Sequence, residues 1–81
     1  MIPEILDITQ PRENLGPYRH DGETKGHDYC RQNGHIYAWS ESNIRYELCW
    51  WLTPQGDPIA GRSEHVANLL RDRPFDKAWL K

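Results

Sequence analysis

The nine residues from Ile44 to Leu52, Ile-Arg-Tyr-Glu-Leu-Cys-Trp-Trp-Leu, alternate apolar and polar through their first half. Side chains of an extended chain change sides at every step, so such a run predicts a half-buried β-strand. Ile44, Tyr46, Leu48, Trp50 and Leu52 then point inward, while Arg45, Glu47, Cys49 and Trp51 point outward. A lone strand or hairpin is marginal in water, so this one requires neighbouring strands or a helix to bury its apolar side.

Asn33-Gly34 supplies the first neighbour. Both central residues of a type I′ turn need positive φ, which Asn and Gly tolerate, so the pair predicts a hairpin between 27–32 and 35–40. Its register follows: Gln32 faces His35, Arg31 faces Ile36, Cys30 faces Tyr37 and Tyr29 faces Ala38. Apolar groups fall on both faces, which requires cover on both sides or a contact surface on one. Glu41-Ser42-Asn43 turns the chain into the Ile44–Leu52 strand, and the turn from Thr53 to Pro58 leads to a short edge strand at 58–62.

Ser63 reads as the N-cap of a short helix, with Val66, Leu69 and Leu70 as a narrow apolar stripe. Glu64 and the arginines at 71 and 73 suit the helix dipole, Pro74 ends the helix, and Phe75, Ala78 and Trp79 form a last turn. Between Thr9 and His27 only Leu15 and Tyr18 are apolar, among Pro11, Gly16, Pro17, Gly22 and Gly26; ahead of them the spacing of Ile2, Ile5, Leu6 and Ile8 fits neither an edge strand nor a helical turn, and residues 1–26 read as an irregular arm. The expected fold is α+β: a small antiparallel β-meander of three or four strands in residues 27–81, with one C-terminal helix packed on one face.

At 81 residues the chain has room for one domain, and such a domain buries only about 60% of the surface of its unfolded chain. Four Trp and four Tyr must therefore carry much of the burial. The formal charge of −2 argues against a protein that binds nucleic acid by neutralising phosphates, although cations cluster from Arg62 onward. No apolar run is long enough to span a membrane. The start, Met-Ile-Pro-Glu-Ile-Leu-Asp, lacks the basic and apolar regions of a signal peptide. A cytoplasmic protein with reduced Cys30 and Cys49 is the expectation, one disulfide the alternative.

His27, Cys30 and His35 are the nearest approach to a metal site, with His20, Cys49 and His65 as further ligands. The hairpin opposes it, because His27 and His35 fall on opposite faces. Cys30 or Cys49 paired with a histidine, or Glu41 with Glu47, would be the enzymatic alternatives, but strand-embedded thiols seldom ionise and a domain this small has little room for a pocket. No catalytic residue, metal or cofactor is assigned. Trp51 differs, since an indole beside Arg45 and Glu47 on an outward sheet face is a frequent interface anchor. Cover by the N-terminal segment or by Phe75 and Trp79 is the alternative.

The Asn-Gly hairpin, the Trp50-Trp51 strand and the Ser63 cap between His35 and Pro74 resemble, in general architecture, compact phage and mobile-element proteins of the anti-CRISPR type. That resemblance implies a protein that acts without a cofactor by occupying a surface of a larger protein. The expected function is non-catalytic protein binding, inhibitory or modulatory, through the sheet face opposite the helix. Arg45, Glu47, Trp51 and Tyr37 are the candidate contacts. A homodimer through the same face is a related expectation; a zinc-stabilised or nucleic-acid-contacting module, and then a small enzyme, are the alternatives.

Overall fold

The computed structural model describes residues 2–20 and 22–72. Four strands, β1 (Glu13–Tyr18), β2 (His27–Gln32), β3 (His35–Ser40) and β4 (Arg45–Leu48), form one antiparallel sheet in sequential order, followed by helix α1 (Ser63–Asp72). This is the small α+β meander that the sequence predicts. Asn33 and Gly34 take φ of 51° and 79°, and the β2–β3 register pairs Gln32 with His35 and Cys30 with Tyr37 as the turn demands. The expectations for Arg73, Pro74, Phe75, Lys77, Ala78, Trp79 and Lys81 lie outside the described residues.

The Ile44–Leu52 strand is shorter than its pattern. Cys49 N still donates to Ile36 O, but Trp51 N then turns back to Cys49 O at 2.8 Å and ends the extended run, while Cys49 and Trp51 keep to the Glu47 side of the sheet, which is the side the helix covers. Trp50 is thrown out to 57% exposure, and Trp51 packs beside the helix. The two indoles thus hold the reverse of their predicted positions. The edge strand expected at 58–62 is reduced to one bridge, Leu52 to Pro58. Arg62 O takes the first intrahelical bond, from Val66 N, so Arg62 occupies the N-cap position and Ser63 begins the helix.

The segment that reads as an irregular arm supplies β1. A bulge between Asn14 and Gly16 interrupts its pairing with β2, and Asn14 Oδ1 accepts from Gly16 N at 3.0 Å. Gly16, at φ 75°, meets the backbone demand, and the unpaired Leu15 is buried in the core. Pro17 is tolerated because β1 is an edge strand. The Gly and Pro that read as loop are here the marks of a protected edge.

Residues ahead of β1 guard the other edge. Leu48 N donates to Glu4 O and Leu6 N to Tyr46 O, which sets Ile5 opposite Glu47 on the outer side of β4. From there the chain crosses the sheet to Gln32, which is only 3% exposed. Asp7 N donates to Gln32 Oε1 and Gln32 Nε2 donates back to Asp7 O. Each face consequently carries a packed cluster. Leu15, Tyr29, Ile36 and Leu52 pack with Val66 and Leu69 of α1 on one side, while Leu6 seals Cys30 and Tyr37 on the other.

Two stability outcomes follow from these contacts. Leu6→Ala should cost about 3 kcal/mol in urea unfolding, as a core truncation does, whereas a loosely attached arm would show almost no change. Ile44, a β-branched residue at φ 53° that is 75% exposed, carries backbone strain without compensating burial. Ile44→Gly should therefore raise stability by about 1 kcal/mol; a loss would contradict the strain.

Candidate functional site

Bridge partners in a sheet share a face, so Ile5, Glu47 and Ala38 lie in one row on the side that carries α1. The helix sits toward β1 over Leu15, Tyr29 and Ile36, and among the described residues the β4 end of this face is left uncovered. There Glu4, Ile5, Arg45, Glu47, Leu48 and Trp50 line a shallow depression. A second, apolar groove shares Glu4, Ile5 and Trp50 and continues over Ile2, Pro3 and Pro54. Ile5 is 46% exposed. A contiguous apolar patch rimmed by charges is the usual form of a protein contact site.

The rim is ordered by one carboxylate. Glu47 Oε2 accepts from Arg45 Nε and from Asn43 Nδ2, each at 3.0 Å. These bonds, Arg45 first, hold the Glu47 carboxyl below its usual range. An exposed ion pair of this kind adds little stability. Its consequence is positional: the bonds orient Arg45 and Glu47 toward one another along the edge of the patch.

Of the predicted contact residues, Arg45 and Glu47 stand at this patch and the other two do not. Trp51 packs among aromatic rings, with centroids 5.2 Å from His20, 5.5 Å from Tyr29 and 5.6 Å from His65. Tyr37 is 1% exposed on the opposite face, where its hydroxyl donates to Pro3 O. The sequence predicts that opposite face to be the open one. The N-terminal segment covers it, and the open area lies beside the helix instead. Ile5 and Trp50 escape a reading by local pattern, because one belongs to a segment whose spacing fits no template and the other is assigned to the core by alternation.

The metal set is divided by the sheet. Cys30 and His35 lie on the Tyr37 side and His27 on the Tyr29 side. His20, His27, His65 and Cys49 do line one cavity of about 260 Å³, together with Tyr29 and Trp51. Its rings pack against each other, His20 and His65 with centroids 4.6 Å apart, and among the described residues no group of three or more His, Cys, Asp or Glu could hold a metal. Glu41 bonds Lys25 and Glu47 bonds Arg45, so each carboxylate is engaged with its own cation.

Both cysteines are free. Burial pushes the Cys30 thiol up, with Tyr46 and Arg12 opposing, and burial alone pushes Cys49 up to about 12. Neither is poised as a thiolate. Among the described residues no helix is long and apolar enough to cross a membrane. No protein family, curated protein or solved structure matches the chain.

The raised thiols set a pH dependence. An unfolded thiol loses its proton near its ordinary value while folded Cys49 keeps it, so the unfolded state binds fewer protons above that value. Stability should fall as pH rises from about 9 toward 12. Thermal melts across that range would check it, with Cys49→Ser flattening the decline; an unchanged decline in the variant would contradict the assignment. Alkylation at pH 8 should likewise be slow until the chain unfolds.

Proposed function

We propose that this chain is a non-catalytic protein-binding protein, an inhibitor or modulator of a larger protein, that works through the patch formed by Ile5, Trp50 and Pro54. The observation that carries the reading is the exposure of Trp50 beside Ile5, next to the oriented Arg45–Glu47 pair. A large indole in the open, flanked by apolar groups and rimmed by charge, is the composition of an interface hot spot. Glu4 on the rim favours a partner that places a basic group beside its apolar anchor. Inhibition by occupying a surface is also what the resemblance to anti-CRISPR-type proteins implies. A cytoplasmic setting agrees with the two free thiols, since reducing compartments keep cysteines unpaired.

The assignment distinguishes the two adjacent indoles. Trp50→Ala should melt like the wild type and recover at least about ten-fold less partner in affinity capture from the native host. Trp51→Ala should instead lower stability by about 2 kcal/mol or more, because it opens the aromatic cluster. Equal partner recovery by wild type and Trp50→Ala would refute the surface.

A further inference from the structure

We propose that a cleft between β2 and β3, at the end of the sheet, binds an arginine side chain of a peptide or protein ligand. The two strands run side by side, yet their pairing stops at Tyr29 and Ala38. Beyond that pair β2 continues against β1, with Asp28 on Pro17 and His27 on Tyr18. In the same stretch β3 continues against β4, with Trp39 on Tyr46 and Ser40 on Arg45. The centre of the sheet therefore splits while its outer pairs stay intact. A cavity of about 450 Å³ opens in the split, with Asp28, Trp39, Lys25 and Glu41 among its walls. It lies past the Cys30–Tyr37 row that Leu6 seals and at the opposite end of β4 from Trp50, so its occupant is independent of the patch.

The charges of the lining select the ligand. Lys25 Nζ bonds Glu41 Oε2 at 3.0 Å, so those two neutralise each other. Asp28 remains, an exposed carboxylate that makes no hydrogen bond or ion pair among the described residues. One further step of the β2–β3 register sets Asp28 opposite Trp39, on the same face of the sheet. Tyr46 meets the Trp39 ring edge to face, with centroids 5.0 Å apart, and so holds the indole in place before any ligand arrives. A carboxylate facing an indole across parted strands suits a ligand that is both cationic and flat. A guanidinium meets both groups, because its fork matches the two carboxylate oxygens while its plane lies on the ring. Its remaining N–H groups find acceptors in the main chain that a longer ladder would have used. An ammonium is a compact point charge with no plane to lay on the indole, and a neutral sugar leaves the residual negative charge uncancelled.

Titration of the full chain with the blocked peptide acetyl-Gly-Arg-Gly-amide, followed by NMR, tests this. The Asp28 amide and the Trp39 indole N–H should shift and saturate with a Kd of about 1 mM. The same peptide with citrulline in place of arginine, neutral but alike in shape, should bind at least about ten-fold more weakly. Asp28→Asn should lose about as much for the arginine peptide; its side chain is exposed, so the β2–β3 amide shifts should stay those of the wild type. The lysine peptide should bind several-fold more weakly than the arginine peptide. No saturation up to about 50 mM overturns the proposal, and so does citrulline or lysine binding as tightly as arginine. Unchanged arginine binding by Asp28→Asn overturns it as well. Methyl glucoside saturating the same resonances while the arginine peptide leaves them unmoved would make the cleft a sugar site instead.

Discussion

The Gln32 carboxamide, at the end of β2, exchanges two hydrogen bonds with the backbone of Asp7, and the arrangement of both sheet faces depends on that exchange. Its carbonyl accepts from Asp7 N at 2.9 Å and its amino group donates to Asp7 O at 2.8 Å, so a buried side chain does the work of a neighbouring strand. A buried amide left unsatisfied would be costly, which makes the attachment specific rather than greasy. Once the segment is held at Asp7, Leu6 closes over Cys30 and Tyr37, and Pro3 reaches the Tyr37 hydroxyl. The face away from the helix is then spent on internal packing.

That closure decides where a partner can bind. With one face sealed by the N-terminal segment and most of the other by α1, the β4 end of the helix side is left open among the described residues. Its outer border is Ile5, set in place by the pairing of Glu4 and Leu6 with β4. The turn at Cys49 completes the patch by leaving Trp51 under the helix and Trp50 in solvent. One reversal of the chain therefore serves stability and recognition together. The cavity with three histidines, by contrast, is aromatic packing between loop, sheet and helix, and the thiols on either side of the sheet are kept protonated by burial.

What the sequence makes legible is local. Asn33-Gly34 determines a turn and, through it, the register of β2 and β3, because turn geometry leaves no freedom to the strands it joins. The Val66, Leu69 and Leu70 stripe locates the helix by the same kind of short-range rule. Arg45 and Glu47 stand at the surface, as their alternation predicts. The failures lie where distant contacts override local pattern. β1 hides behind Gly16 and Pro17, whose meaning depends on being at a sheet edge with a bulge. Trp51 keeps the side that alternation gives it, with Glu47 and Cys49, but that side is the one the helix covers, and Trp50 falls beyond the end of β4 into solvent. Nothing within those few residues announces which face the helix takes.

Native-state amide hydrogen exchange addresses the attachment of the N-terminal segment most directly. The amides of Leu6, Asp7 and Leu48, which join that segment to the sheet, should exchange only with global unfolding, at the same opening free energy as the β2–β3 ladder amides. Exchange of Leu6 and Asp7 through a low-energy local opening, while the β2–β3 amides stay protected, would show that the segment is not part of the cooperative core and would contradict the account.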